Sequence, residues 1–265
     1  MNAFEKYNIT VAGNGKKTML LAHGYGCDQV MWRFLSPAFQ DEYRVVLFDH
    51  VGAGKSDLSQ YSRQKYGTLN GYADDLLEII DAVGGAPVVF VGHSVSAMVG
   101  VLAANKKPDY FSRLVLIGPS PCYINEGEYV GGFTRSDIDG LLQTLDSNHL
   151  GWSRAMAPII MKNEDRPELA SELAESFCRT DPRIARHFAR VTFLSDNRAD
   201  LPLLRVPSLV MQCSEDNIAP QAVGEFVHRQ IAGSRYVFLK ATGHCPHLSA
   251  PAETIQSIKE YLERP

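Results

Sequence analysis

A serine stands where a buried strand is expected to end and a helix to begin. The segment GHSVS, residues 92–96, follows the apolar run PVVFV and leads into the small-residue pattern SAMVG. A sharp strand-to-helix turn strains its central residue and crowds the neighbours, so it tolerates small residues two positions to either side. Gly92 and Ser96 stand at these positions, although the last one is usually glycine. The pattern predicts a turn that presents the Ser94 hydroxyl as a nucleophile rather than a Gly-rich turn with an incidental serine.

A serine hydroxyl is a weak nucleophile at neutral pH and needs a general base that an acid orients. Behind such a turn the acid and then the histidine follow, each after a late strand. The segment LVMQCSED ends in Glu215 and Asp216, and VFLKATGH ends in His244. We therefore predict a triad of Ser94, Asp216 and His244. Glu215 is an alternative acid and His247 an alternative base, but Asp216 is nearer the loop and His244 directly follows the glycine that ends the strand.

Acyl transfer also requires hydrogen-bond donors for the oxyanion. In the segment LAHGYGCDQ the His23–Gly24 pair turns the chain, so that the main-chain N–H of Tyr25 can face Ser94. The N–H of Val95 is the second predicted donor, and one such donor is typically worth ~10²–10³ in rate. A plain Gly-rich loop would have the same composition, but three such loops in the right order favour a hydrolase.

Two further motifs suggest other chemistry. DHVGAGKSD, residues 49–57, resembles a phosphate-binding loop, but Asp49 stands where that motif needs its first glycine. HCPH, residues 244–247, suggests a metal pair of His244 and Cys245, yet the sequence offers no second cluster of ligands. We expect no nucleotide, no metal and no cofactor.

The composition indicates a globular protein without nucleic-acid or membrane partners. Apolar residues make up 45%, the formal net charge is −4, and Lys and Arg are scattered. The five cysteines are widely spaced without a CxxC, which favours free thiols in a reducing compartment. The start, MNAFEKYNIT, has no apolar core of a signal peptide, so we expect a cytoplasmic protein.

Short apolar runs alternate with amphipathic, helical segments along most of the chain. Runs that are continuously apolar indicate strands buried on both faces of a parallel sheet, joined by right-handed crossovers. The predicted fold is therefore α/β, with a doubly wound, mostly parallel sheet. The predicted strands are TMLLAHG (18–24), YRVVLFD (43–49), PVVFVGH (87–93), RLVLIGP (113–119), PSLVMQCSED (207–216) and RYVFLKATGH (235–244).

Residues 122–204 interrupt this alternation, because they contain helical patterns but no buried-strand run. We interpret them as a helical insertion that covers one end of the sheet. Residues 1–121 and 205–265 then form a single core domain.

Six segments resemble one family of α/β-hydrolases, typified by the bacterial stress-response regulator RsbQ and including the plant karrikin and strigolactone receptors. The segments are HGYGCDQ, DHVGAGKSD, GHSVSAM, GPSPCYINEGEYVGGF, FCRTDPRIARHFA and GHCPHLSAPAETI. The resemblance covers essentially the whole chain and is closest to RsbQ over residues 118–133, whereas Ser96 is similar to the plant receptors.

This resemblance implies the α/β-hydrolase fold, the same Ser94, Asp216 and His244 triad, and a monomer. It also implies a V-shaped lid of four helices above a deep apolar pocket. The pocket candidates are Tyr25, His93, Phe133, Trp152, Met156, Phe193 and Ile218.

Two functions follow, and they share one site. The first is a serine hydrolase that cleaves a small hydrophobic ester or lactone, such as a butenolide, through an acyl-enzyme. The second is an RsbQ-like signalling protein that binds a small hydrophobic ligand, hydrolyses it slowly and activates a phosphatase-type partner. Carbon–carbon bond hydrolases and perhydrolases use the same triad, whereas a dehalogenase would need a carboxylate at position 94.

Overall fold

A computed structural model describes residues 2–263, and its centre is a seven-stranded sheet. The strands are β1 (Thr10–Ala12), β2 (Lys17–Ala22), β3 (Tyr43–Leu47), β4 (Val88–His93), β5 (Phe111–Ile117), β6 (Ser208–Glu215) and β7 (Arg235–Thr242). Their spatial order is β1-β3-β2-β4-β5-β6-β7, and all neighbours are parallel except β1 and β3. The predicted doubly wound α/β fold is confirmed.

The six predicted strands are β2 to β7, and β1 is an addition. Every residue of β4 is buried, which explains its unbroken apolar run. Strand β1 has only three residues, two of them exposed, and pairs antiparallel with Val45–Leu47 at the edge of the sheet. Such a short, half-solvated edge strand leaves no apolar pattern in the sequence.

In the described part of the chain, ten α-helices surround the sheet. They are α1 (Ala3–Lys6), α2 (Leu69–Val83), α3 (Val95–Lys106), α4 (Arg135–Ser147), α5 (His149–Met161), α6 (Pro167–Arg179), α7 (Pro182–Phe193), α8 (Gln221–Gln230), α9 (Pro246–Ser249) and α10 (Pro251–Leu262). Local sequence sets their ends: the Thr68 side chain accepts a hydrogen bond from Asn70 N at the start of α2, and Gly84 ends that helix with φ 60°. No helix within residues 2–263 is long and apolar enough to cross a bilayer.

Two apolar clusters lie on opposite faces of the sheet. One cluster contains residues of helices α2 and α3, such as Leu76, together with Phe90 of β4. The other cluster contains Trp32, Ile258 and Tyr261. Both faces of the central strands are therefore covered, which fixes the sheet and brings the loops after its strands to one edge.

Helices α4 to α7, here called the four-helix segment, lie between β5 and β6 in the chain. A third apolar cluster joins them to the loops at the carboxyl edge of the sheet, and includes Cys27, Leu173 and Ile218. A bidentate ion pair adds to this contact, since the Arg33 guanidinium donates to both oxygens of Glu172 at 2.6 and 2.7 Å. The predicted insertion, residues 122–204, contains these helices, and its action as a lid stays a prediction.

Candidate active site

Ser94 lies on the turn between β4 and α3, in a backbone conformation that residues other than glycine rarely adopt. Its φ is 57° and its ψ is −125°, and its main-chain N–H donates to the Ile117 carbonyl at 2.8 Å. A Cβ at Gly92 would lie only 2.6 Å from the Ser96 carbonyl oxygen, so the turn requires glycine there. The surrounding hydrogen bonds and packing hold this strained turn in place.

The Ser96 hydroxyl explains why serine replaces the usual glycine at the end of the motif. It donates to the His23 carbonyl oxygen at 2.5 Å and lies 2.7 Å from His50 Nε2. A hydroxyl has one proton, so His50 must donate from Nε2. The main-chain N–H of His50 in turn donates to His23 Nε2 at 3.1 Å. Ser96 thus connects the first turn of α3 to the loops after β2 and β3.

Ser94, His244 and Asp216 lie in a continuous hydrogen-bonded chain. His244 Nε2 is 2.8 Å from Ser94 Oγ, and His244 Nδ1 is 2.6 Å from Asp216 Oδ2. The other carboxylate oxygen of Asp216 accepts from the main-chain N–H groups of Ile218 and Ala219 at 2.8 and 3.0 Å. Main-chain donors therefore fix one oxygen of the carboxylate, and the other oxygen holds the imidazole.

The alternative acid Glu215 and the alternative base His247 are not part of this series of hydrogen bonds. The Glu215 side chain is 63% exposed and pairs with Lys162 at 2.7 Å, since successive side chains at the end of β6 point in opposite directions. The His247 ring is buried, 4.7 Å from the Trp32 ring and 4.4 Å from the His93 ring between centroids.

His93 and His247 pack behind His244 as neutral rings. Burial lowers the pKa of His247 to about 3 and holds the pKa of His93 well below its usual range. His93 Nε2 donates to the main-chain carbonyl oxygen of His244 at 2.8 Å. This bond fixes the backbone that carries the His244 imidazole.

The two residues predicted to bind the oxyanion lie next to Ser94. Val95 is the first residue of α3, so its N–H has no acceptor within the helix. The loop that carries Tyr25 lies against the serine turn, because a Cβ at Gly24 would be 3.2 Å from Ser94 Cβ. This close approach accounts for the glycine before Tyr25.

A small, mostly apolar cavity opens beside Ser94 and His244. Its free volume is about 30 Å³, which is room for one or two water molecules. Of the predicted pocket residues, Phe133 is half-buried against the same apolar cluster but does not line the cavity. The lining residues are Tyr25, Cys27, His93, Ser94, Tyr123, Trp152, Met156, Ile160, Leu173, Phe177, Thr192, Phe193, Ile218, His244 and Cys245.

Seven of these lining residues were absent from the sequence prediction: Cys27, Tyr123, Ile160, Leu173, Phe177, Thr192 and Cys245. Cys27 and Cys245 are close in sequence to predicted site residues, which is a usable signal. Leu173 and Phe177 are four residues apart on α6, and this spacing is the same for any buried helix face. Nothing in the sequence separates them from ordinary core.

Tyr25 is the centre of the aromatic packing around the cavity. Its ring centroid is 6.1 Å from those of Trp152 and Phe193 and 5.9 Å from that of Phe177. Its hydroxyl donates to the Ala185 carbonyl oxygen on α7 at 3.0 Å. One residue of the β2 loop therefore contacts α5, α6 and α7.

The loop that resembles a phosphate site is instead folded around Asp49. This buried carboxylate accepts hydrogen bonds from the main-chain N–H groups of Gln29 and Lys55 and from the Asn8 side chain at 2.7–2.9 Å. Within residues 2–263, no group of three or more His, Cys, Asp or Glu side chains is placed to hold a metal ion.

Comparisons of the sequence with family models and with known proteins indicate the same family. A model of the "Alpha/beta hydrolase family" matches residues 19–257. The chain is 38% identical to the "Strigolactone esterase D14" of Arabidopsis thaliana, over 99% of this chain and 98% of that protein. It is 36% identical to the "Karrikin insensitive 2 receptor CA" of Petunia hybrida, over 97% and 96% respectively.

Solved structures agree with this result. A hydrolase from Oleispira antarctica superimposes with a TM-score of 0.97 at 39% identity, over 99% of this chain and 97% of that one. These relatives confirm the likeness to the plant receptors, while the closer likeness to RsbQ stays a prediction.

Proposed function

The chain belongs to the alpha/beta hydrolase family, and on that premise we propose that it is a serine hydrolase acting on small hydrophobic esters or lactones. The observation that carries this proposal is the hydrogen-bonded chain from Ser94 through His244 to Asp216, at 2.8 and 2.6 Å. Such a chain is the arrangement that activates a serine hydroxyl for attack on a carbonyl.

In the proposed reaction, Ser94 Oγ attacks the carbonyl carbon while its proton moves to His244 Nε2. Asp216 stabilises the resulting imidazolium, and the N–H groups of Tyr25 and Val95 hold the oxyanion. The tetrahedral intermediate releases the alkoxide, which takes the proton from His244 and leaves an acyl-enzyme. Water then attacks the acyl-enzyme, giving its proton to His244, and the acid departs as Ser94 regains its proton. In a lactone the alcohol stays attached to the acyl group.

The lining of the cavity supports the proposed substrate class. Trp152, Met156, Phe177 and Phe193 surround the serine with apolar surface, which favours a hydrophobic acyl or alcohol group. The cavity is narrow, with a volume of about 30 Å³, so we infer that its lining moves apart when a substrate enters. We therefore propose that residues 122–204 act as a lid on the core formed by residues 1–121 and 205–265.

A signalling role is the second candidate. Relatives that match nearly the whole chain are named receptors. The cavity is narrow, so we propose that an entering ligand displaces the helices above it. In this scheme a monomeric, cytoplasmic protein binds a small hydrophobic ligand and its displaced lid contacts a partner, for which the RsbQ likeness suggests a phosphatase-type regulator. Catalysis and signalling then use the same site.

The test of the hydrolase proposal is turnover of p-nitrophenyl butyrate by the wild type and by Ser94→Ala. We expect the variant to lose at least ~10³-fold in kcat, with intact-mass spectrometry showing a butyryl adduct on the wild type only. Ser208→Ala is the matched control, because Ser208 is buried at the opposite end of the sheet. Turnover by Ser94→Ala within tenfold of the wild type would exclude Ser94 as nucleophile.

Turnover measured together with the melting temperature of the protein separates the two roles. Repeated turnover without a change in melting temperature favours an enzyme. A single slow turnover, accompanied by a shift in melting temperature on ligand addition, favours a receptor.

A further inference from the structure

The C-terminal end of α5 contacts both loops that carry the acid and the base of the proposed triad. The last carbonyls of a helix have no partner within the helix, so they accept hydrogen bonds from outside it. The Ile160 carbonyl oxygen accepts from the main-chain N–H of His244 at 2.8 Å. The preceding carbonyl oxygen, that of Ile159, accepts from the side chain of Asn217, one residue after Asp216, at 3.3 Å. The two loops are therefore hydrogen-bonded to consecutive residues of one helix end.

The packing between this helix end and the loop that carries the base is close. A Cβ at Gly243 would lie 2.1 Å from the Met161 carbonyl oxygen, and Gly243 has a φ of 78°, so the position before the base requires glycine. His93 donates to the main-chain carbonyl oxygen of His244 at 2.8 Å, while the α5 end accepts from its N–H. Both polar main-chain groups of His244 are thus held by other parts of the molecule. The position of its imidazole therefore depends on where the end of α5 lies.

The Asn163 side chain holds this helix end against the end of β7. Its NH₂ group donates to the carbonyl oxygens of Met161 and Thr242 at 2.7 and 3.1 Å. Lys162 and Asn163 have φ values of 50° and 55°, a region that is strained for residues other than glycine. Such strain persists where surrounding contacts over-determine the backbone, and the two bonds of Asn163 are contacts of this kind.

The Arg166 guanidinium extends the attachment to the far end of the segment that carries the base. It donates to the Asn163 side-chain oxygen at 2.6 Å and to the Ser249 carbonyl oxygen at 2.7 Å. Residues 242–249 are thus hydrogen-bonded to the end of α5 and the following turn at both ends, and at His244 between them. Neither Asn163 nor Arg166 belongs to the cavity lining, so any effect on catalysis has to pass through His244.

We propose that Asn163 and Arg166 are positioning residues for the general base His244. They fix the end of α5, and the end of α5 fixes the base relative to the acid and the nucleophile during proton transfer. This inference rests on the proposed function, because it concerns the base of that reaction. Since neither residue contacts the substrate, their removal should act on kcat rather than on KM.

The first test variant is Asn163→Gly, which removes the side chain and suits the positive φ of this residue. The melting temperature should therefore stay close to that of the wild type. With p-nitrophenyl butyrate we expect kcat to fall ~10–100-fold and KM to change less than ~3-fold, since a misplacement of about 1 Å can cost ~10² in rate. Arg166→Lys keeps the charge but loses the planar fork that reaches two acceptors. Its kcat should lie between those of the wild type and Arg166→Ala.

Asn148→Gly is the matched control, because it makes the same substitution at the start of the same helix. The Asn148 side chain caps α5 by accepting from the Gly151 N–H at 2.9 Å, about 20 Å of helix away from the end that contacts the triad loops. Its loss should lower the melting temperature and leave kcat within ~2-fold of the wild type. An equal loss of kcat in the control and in Asn163→Gly would overturn the inference, and so would wild-type kcat in Asn163→Gly and Arg166→Ala.

A readout that needs no turnover separates this inference from the hydrolase proposal. The proton between His244 Nδ1 and Asp216, in a hydrogen bond of 2.6 Å, should give a low-field NMR signal that is absent from Asp216→Asn. Asn163→Gly should shift or broaden this signal, and Asn148→Gly should leave it unchanged. Absence of hydrolysis by the wild type would overturn the hydrolase proposal alone. An unchanged signal in Asn163→Gly would overturn the positioning role, whether or not the protein is a hydrolase.

Discussion

Replacing Ser96 by alanine should weaken both the fold and the reaction, because one hydroxyl has two buried partners. Its removal leaves the His23 carbonyl oxygen, now 2.5 Å away, and His50 Nε2, now 2.7 Å away, without that partner. Each buried group left unpaired costs about 1–3 kcal/mol. We expect the free energy of unfolding to fall by about 2–4 kcal/mol, equivalent to a drop in melting temperature of ~5–15 °C.

The catalytic effect follows from the position of His23. The His23 carbonyl and the Gly24 N–H share one peptide group. The following peptide group carries the N–H of Tyr25, which is the proposed oxyanion donor. Complete loss of one such donor costs ~10²–10³ in kcat, so a loosened donor should cost ~10-fold, with KM little changed. The ground state gains nothing from this donor, which is why the effect should fall on kcat.

Urea unfolding and p-nitrophenyl butyrate hydrolysis measure the two effects. Ser208→Ala is the matched control, since this buried hydroxyl donates only to the Val206 carbonyl at 2.8 Å, far from the site. It should lose ~1 kcal/mol of stability and no activity. The reasoning is refuted if Ser96→Ala matches the control in stability and the wild type in kcat, or if Ser96→Gly, which restores the usual motif, is the more active enzyme.

Two further results are expected. Asp216→Asn should retain the fold, measured by circular dichroism, but lower kcat by up to ~10⁴, since the amide would hold His244 in the wrong tautomer; activity above a tenth of the wild type would contradict the assigned role. Burial lowers the pKa of His247 from its ordinary 6.5 to about 3, so the unfolded chain binds one more proton than the folded chain between these values. The free energy of unfolding should therefore fall by ~1.4 kcal/mol per pH unit for this group as the pH drops below 6.5, and His247→Phe should make that slope shallower in urea titrations at pH 4–6.5; an unchanged slope would show that His247 is protonated in the folded state.

The sequence predicts the framework of the site because parallel strands end at one edge of a sheet. The serine turn and the two late loops could be placed from apolar runs and glycines alone, and the three side chains do lie in contact. The choice of Asp216 over Glu215 depends on the direction in which each side chain leaves the end of β6, and the sequence supports it only by position. The short edge strand β1 leaves no periodic signal.

The lining of the cavity is less predictable, because it depends on side-chain orientation. His93 and Phe133 look alike as candidates, but one lines the cavity and the other packs outside it. The spacing of Leu173 and Phe177 is common to every helix that faces a core. Among residues 2–263 the Thr192 hydroxyl has no hydrogen-bond partner, whereas the Thr254 hydroxyl donates to the Ala250 carbonyl oxygen, and the residue type does not distinguish the two.

Tyr25 connects the four-helix segment to the loop beside Ser94. Its side chain is held by α5, α6 and α7, and its backbone amide is the proposed donor to the oxyanion. If the four-helix segment moves as proposed, it moves the residue whose N–H is the proposed oxyanion donor. We therefore expect the oxyanion donors to align only when the helices cover the ligand again. Ligand entry and bond cleavage would then belong to two different conformations of the protein.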